Sequence, residues 1–358
     1  LSAAGALDHS RRREMSGSDA IDLARTLIGA NRPNDYVIDP VGHAEEYAGK
    51  ARDLAHILSS SEVSVRAGEY KIWDGRAIEA QAEFKKWTRH ANWSVFLTAC
   101  VTALLLAGGS LSGKAGALAT IATRAIPYLG FAGLLCGAYA GYCINRIRSG
   151  RLLEVWMENR AQAETERLEY FNAVVQGEAP GGTAGEVPPA LLQLEYFRRF
   201  QLDVQLAYYK ERGKQHQAAA RSALGLSSGA MFVVALINGF VGLAGWASPR
   251  LVAVAALALV GQALSSKVSN TEAVNQDSRN AERYERTRSV LAKLSAKLDS
   301  VRSAVLRGKT SVLMSYVEVV HEQLSLEHRQ WLEAGDERLS SIGRLEQQLE
   351  EVKEDSGA

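Results

Sequence analysis

Most of this chain reads as polar sequence in which apolar residues return every three or four positions, and four stretches interrupt it with no charge at all. The predicted spans are 91–111, 125–145, 224–246 and 250–267. Each is close to the roughly 20 residues with which an α-helix crosses about 30 Å of hydrocarbon. The last is short, and Arg250 and Lys267 at its ends extend it by snorkelling. A soluble bundle would need four charge-bounded apolar runs in one core, more than such cores supply. The pattern therefore predicts an all-α membrane protein, with four transmembrane helices in two hairpins and long cytoplasmic helices forming a bundle or coiled coil.

Lysine and arginine set the orientation. They collect at the long flanks, at Lys85, Lys86 and Arg89, then Arg146, Arg148 and Arg151, then Lys210, Arg212, Lys214 and Arg221. The short connections hold only Lys114, Arg124 and Arg250. Both termini and the central segment are expected in the cytoplasm of a multi-pass inner-membrane protein. No apolar signal peptide is expected at the start.

The expected organisation is a duplicated module. An N-terminal segment, 1–41, has little periodicity and is left without a structural assignment. A first helical module covers 42–176, a Gly/Pro-rich linker covers 177–190, and a second module covers 191–332. A charged amphipathic tail, 333–358, follows. In each module a charged helix leads into a hairpin and a long polar helix leaves it, over 146–175 in the first and 267–307 in the second.

Composition adds mainly exclusions. The 358 residues carry 41 Lys+Arg against 40 Asp+Glu, a formal charge of +1, so no global field attracts nucleic acid. Cys100, Cys136 and Cys143 all lie in apolar stretches, which argues against a disulfide scaffold or a cysteine-ligated zinc. No catalytic set, cofactor motif or metal pattern stands out, and the chain is not expected to be an enzyme. His321 and His328 share a helix face without a metal-site spacing. The segment GGSLSGKA at 108–115 approaches a phosphate-binding loop but ends in alanine and follows no strand, so it reads as a Gly/Ser turn. Carboxylates with basic partners three or four positions away read as solvated helix faces.

Inside the predicted spans the chemistry is packing and polarity. Gly133, Gly137 and Gly141 recur every four residues and make one smooth face, for hairpin closure or subunit contact. Gly239, Gly242 and Gly245 recur every three. Asn238 puts an amide near the bilayer centre, where it must find water in a pore or a partner helix. Gln262, Thr98 and Thr102 raise the same two alternatives. No central Asp, Glu, Lys or Arg supports a proton relay. Beyond the second hairpin, Leu291, Leu294, Leu298, Val301 and Val305 form a seam that wants a partner, either another subunit or the first post-membrane helix. A shorter seam follows at Leu339, Ile342, Leu345, Leu349 and Val352.

Two segments, WMENRAQAETERLEYF at 156–171 and HEQLSLEHRQW at 321–331, with the twice-repeated order of helix, hairpin and helix, resemble the SLATT family of two-transmembrane effectors. The resemblance covers about 70–333 and implies two such modules in tandem. It also implies a membrane effector of prokaryotic antiphage defence that oligomerises and opens a pore, depolarising or permeabilising the cell. Its partners would be membrane lipid, further copies of itself, and a nucleotide second messenger or a separate sensor or synthase protein. The expected alternative is a non-conducting scaffold that recruits a cytoplasmic enzyme through its seams.

Overall fold

A computed structural model describes residues 17–112, 117–179, 187–244 and 249–333, together with 335, 340, 342–344, 347 and 350. All regular structure among them is helical. The helices are α1 (Gly17–Ile28), α2 (Pro40–Tyr47), α3 (Arg52–Leu58), α4 (Ser61–Ser112), α5 (Ala117–Ser149), α6 (Leu152–Gln176) and α7 (Pro189–Phe197). A π-helical segment, Arg198–Asp203, joins α7 to α8 (Val204–Ala244). There follow α9 (Pro249–Asn275), α10 (Asp277–Ser295), α11 (Leu298–Leu306) and α12 (Thr310–Glu333). Three helical stretches, Ser61–Ser110, Thr120–Gln176 and Pro189–Leu243, are long and apolar enough to cross a membrane. The fourth predicted run lies in α9, which has 27 residues.

The chain divides into two compact units that do not follow its order. Unit 1 comprises 1–74, 160–211 and 284–329; unit 2 comprises 75–159, 212–283 and 330–358. Each draws on both predicted modules, because the division cuts α4, α6, α8, α10 and α12 part-way along.

Unit 1 has a continuous apolar core built around Tyr47, Leu54, Leu58, Tyr170, Phe171, Leu194, Tyr196 and Phe197. The seam Leu291, Leu294, Leu298, Val301 and Val305 belongs to this core, so its partner lies within the chain. The Tyr316 hydroxyl of α12 donates to the Leu294 carbonyl at 3.1 Å. The unassigned N-terminal segment contributes α1, whose Ala20, Ala24 and Ile28 are buried at helical spacing. Two alanines and an isoleucine make a stripe too weak to stand out in the sequence. At the start of the linker, the Gln193 amide caps the end of α6 by donating to the Val174 and Gly177 carbonyls at 2.9 and 2.7 Å. The linker residues 180–186 lie outside the described residues.

Unit 2 packs α4 against α5 and α8 against α9. His90 and Tyr139 share a 2.7 Å hydrogen bond, and Ser227 and Ser265 another of 2.7 Å. A core of Phe84, Ala91, Val95, Ala140, Cys143, Ile144, Ile147 and Trp156 gathers beside the first pair, where Trp156 meets Trp331 edge to face at 5.3 Å. From the shorter C-terminal seam, Ile342 joins this core; Leu339, Leu345, Leu349 and Val352 lie outside the described residues.

The two long polar helices predicted after the hairpins are not continuous. The first breaks at Arg151, with φ of 46°, and the second at Gln276, with φ of 54°, the two non-glycine residues with positive φ among the described residues. That conformation is disfavoured for any residue with a Cβ and stops an α-helix. The second break is held by capping: Asn280 donates to the Asn275 carbonyl at 2.8 Å, and Ser278 N–H to Glu272 at 3.1 Å. The second helix breaks again between α10 and α11. In each predicted module, one left-handed residue follows the helix that holds the second apolar run.

Candidate functional site

The most apolar stretches of the three long helices are only 22%, 6% and 11% buried. Unit 2 carries their side chains outward: Leu97, Leu104 and Leu106 on α4, Tyr128, Phe131 and Leu134 on α5, and Phe232, Leu236 and Phe240 on α8 are all exposed. Clustered exposed apolar side chains of this kind mark a surface that meets lipid or another protein.

Against this surface the predicted polar residues separate. Thr98 is buried and its hydroxyl donates to the Ser94 carbonyl at 2.8 Å; the half-buried Thr102 donates to the Thr98 carbonyl at 3.1 Å. Both hydroxyls are thus satisfied within α4. Asn238 and Gln262 are exposed; on α8 Asn238 shares its face with the buried Val234 and Val241, four before and three after it, and points away from the exposed Leu236 and Phe240.

The glycines separate too. Gly133 faces α4, where a Cβ would stand 3.1 Å from Val101 Cγ1, and Gly137 is buried and Gly141 half-buried. A Cβ at Gly239 or Gly242 would meet nothing within 4 Å; Gly245 lies outside the described residues. The close approach between α8 and α9 is instead made by Gly261, where a Cβ would fall 2.5 Å from Val234 Cγ2. Gly261 stands alone in its helix without a spaced companion, so no repeat marked it.

Unit 1 buries charge that the sequence presents as solvated, which corrects that expectation. Arg199 is 1% exposed and grips Asp35 with two nitrogens, Nε at 2.7 Å and Nη2 at 2.8 Å. It also donates to the Tyr47 hydroxyl at 3.3 Å and closely to the Ile28 carbonyl. Glu195, wholly buried, accepts from Arg198 at 2.6 Å and from Arg302 at 2.5 Å. Arg198 reaches Asp203 at 2.6 Å and the Gly29 carbonyl at 2.8 Å. The π-helical turn sends adjacent arginines to these separate partners; such turns recur at functional sites.

The two segments that carry the family resemblance meet this network. Glu164 accepts from both Arg160 and Arg167, Arg160 also bonds Asp74 at 3.0 Å, and Arg167 donates to Gln201 Oε1 at 2.9 Å. From α12, Glu327 accepts from Tyr209 at 3.2 Å. Burial alone would raise the Glu164 carboxyl, but the two guanidiniums outweigh it and bring it down to about 2. His321, 7% exposed, packs against Phe197 with ring centroids 5.6 Å apart. Loss of hydration, then the Arg167 charge, pushes it down to about 4. Ion pairs of i,i+3 and i,i+4 spacing look alike in sequence whether water or protein covers them, so burial here was not legible.

No protein-family model, curated protein or solved structure matches this chain.

Proposed function

We propose that this chain is a four-span protein of the cell inner membrane, with spans at 91–111, 125–145, 224–246 and 250–267 in two hairpins and both termini cytoplasmic. It assembles into an oligomer that conducts ions, and its action in antiphage defence is depolarisation or permeabilisation of the infected cell. The observation that carries the reading is in single helices: α4 and α8 each run without a break from uncovered apolar sequence into a charged unit with its own core. A helix that runs from a lipid-facing region into a charged bundle gives a displacement of one a covalent path to the other. Asn238 supports the conducting step, because an exposed amide inside an apolar span requires water or a partner helix. The nucleotide messenger or sensor protein that would trigger it comes from the family resemblance alone.

The scaffold alternative relied on exposed seams. The longer of these, Leu291 to Val305, is covered inside unit 1, which leaves that reading without its main docking surface.

Topology is tested with single cysteines in a chain whose three native cysteines are replaced by alanine. An impermeant maleimide applied to spheroplasts should label Lys114→Cys and Ser248→Cys, and should reach Glu178→Cys and Glu333→Cys only after permeabilisation. Equal labelling of all four in sealed spheroplasts would end the four-span reading.

A further inference from the structure

Within unit 2, stretches of α4 and α9 line an open cleft of about 530 Å³, within the usual range for small-ligand sites. Its wall carries four cations, Lys85, Lys86 and Arg89 from α4 and Lys267 from α9, and no carboxylate among the described residues. The spacing of the α4 cations puts them on adjoining turns of one helix face. Lys267 Nζ lies over the Trp93 ring at 3.5 Å, so an aromatic face offsets part of its charge without supplying an anion.

The cleft also holds unmet polar groups. Thr88 is 4% exposed and Asn92 is 5% exposed, and Thr88 Oγ1 and Asn92 Oδ1 have no hydrogen-bond partner. Both residues line the cleft. Buried oxygens left unpaired destabilise a fold unless a ligand satisfies them. A hydroxyl donates to an anionic oxygen, whereas an amide oxygen asks for a donor. The ligand that answers both is an anion bearing hydroxyl or N–H groups.

We propose that this cleft binds a phosphodiester flanked by hydrogen-bond donors. Its phosphate oxygens accept from Lys86, Arg89 and the Thr88 hydroxyl, and a neighbouring hydroxyl or N–H of the ligand donates to Asn92 Oδ1. Two sources share this chemistry, the headgroup of an anionic glycerophospholipid and a soluble nucleotide. The lipid source rests on the membrane reading above, which puts Lys85 to Arg89 just before one span and Lys267 at the end of another, at headgroup depth. The nucleotide source does not depend on it.

The test uses the full-length protein in phosphatidylcholine nanodiscs and in detergent. Phosphatidylglycerol is titrated by native mass spectrometry in detergent, against phosphatidylcholine. A cyclic dinucleotide and inorganic phosphate are titrated by calorimetry in nanodiscs. The variants are Arg89→Gln and Thr88→Val. The second removes an unpaired hydroxyl at nearly constant shape, so it keeps the fold or stabilises it. Saturable binding of phosphatidylglycerol or the cyclic dinucleotide, weakened about tenfold in each variant, supports the proposal and identifies the source. Wild type and variants binding all probes alike, or none of them binding, overturns it. Extraction with alkaline carbonate, run alongside, reports whether the protein is integral to the membrane. Extraction as a soluble protein would refute the membrane reading while leaving the dinucleotide titration as an independent test of the cleft.

Discussion

Replacing His321 by phenylalanine tests the physical account of unit 1. The imidazole is buried against Phe197 and its Nε2 has no hydrogen-bond partner, so a ring of similar size without nitrogen fills the site. With a folded value of about 4 against an ordinary 6.5, the unfolded chain takes up a proton that the folded chain refuses. Above pH 6.5 neither form is charged and the contribution is complete. As pH falls from 6.5 to 4 the unfolded state is favoured increasingly, and below 4 the loss levels off. At 1.36 kcal/mol per unit this amounts to about 2 kcal/mol by pH 5 and about 3 kcal/mol in full. His43, also held down by burial, acts in the same direction, so His321→Phe reduces the slope without abolishing it. The assay is thermal unfolding by circular dichroism in detergent at pH 7 and pH 5, wild type against His321→Phe. The variant should lose about 2 kcal/mol less stability across that interval. An identical loss in both proteins would mean that His321 is hydrated in the folded state, which the packing forbids.

Other outcomes follow from the same structure. Asp35→Asn leaves the Arg199 guanidinium without its counter-charge in the core and should cost about 3–5 kcal/mol in denaturant unfolding, with most of it recovered when Arg199→Met is added. Gly261→Val drives a side chain into Val234 and should lower stability by about 1–3 kcal/mol, with partial rescue by Val234→Ala, whereas Gly239→Ala, which meets nothing within 4 Å, should unfold like wild type. Leu298→Asp places a charge in the unit 1 core and should unfold that unit; if it only lowered the mass of an otherwise folded assembly in detergent, the seam would be intersubunit after all.

How much of this was legible in the sequence depends on whether a feature is local. The apolar runs were plain because each is contiguous, and three of the helices they occupy are long and apolar enough to cross a membrane. Gly133 was legible because its companions recur at helical spacing. Gly261 was not, since only the approach of Val234 from another helix gives it a role. The buried pairs of Arg199 with Asp35 and of Arg302 with Glu195 join residues 164 and 107 positions apart, beyond any periodicity. Within the π-helical turn, RRFQLD reads as ordinary helix, because the extra residue per turn is imposed by packing. The left-handed Arg151 and Gln276 were hidden for a related reason: neither is the glycine or asparagine that usually marks such a conformation.

The most direct measurement of the central claim is ion flux from liposomes containing the purified protein, wild type beside Asn238→Leu. It is run with and without a panel of cyclic oligonucleotides and nicotinamide-derived nucleotides, at matched incorporation and with the oligomer mass determined. The account predicts flux that one ligand switches on and that Asn238→Leu alters without changing assembly. An inserted, intact oligomer that conducts under none of these conditions would contradict the conducting reading and leave a non-conducting membrane scaffold in its place.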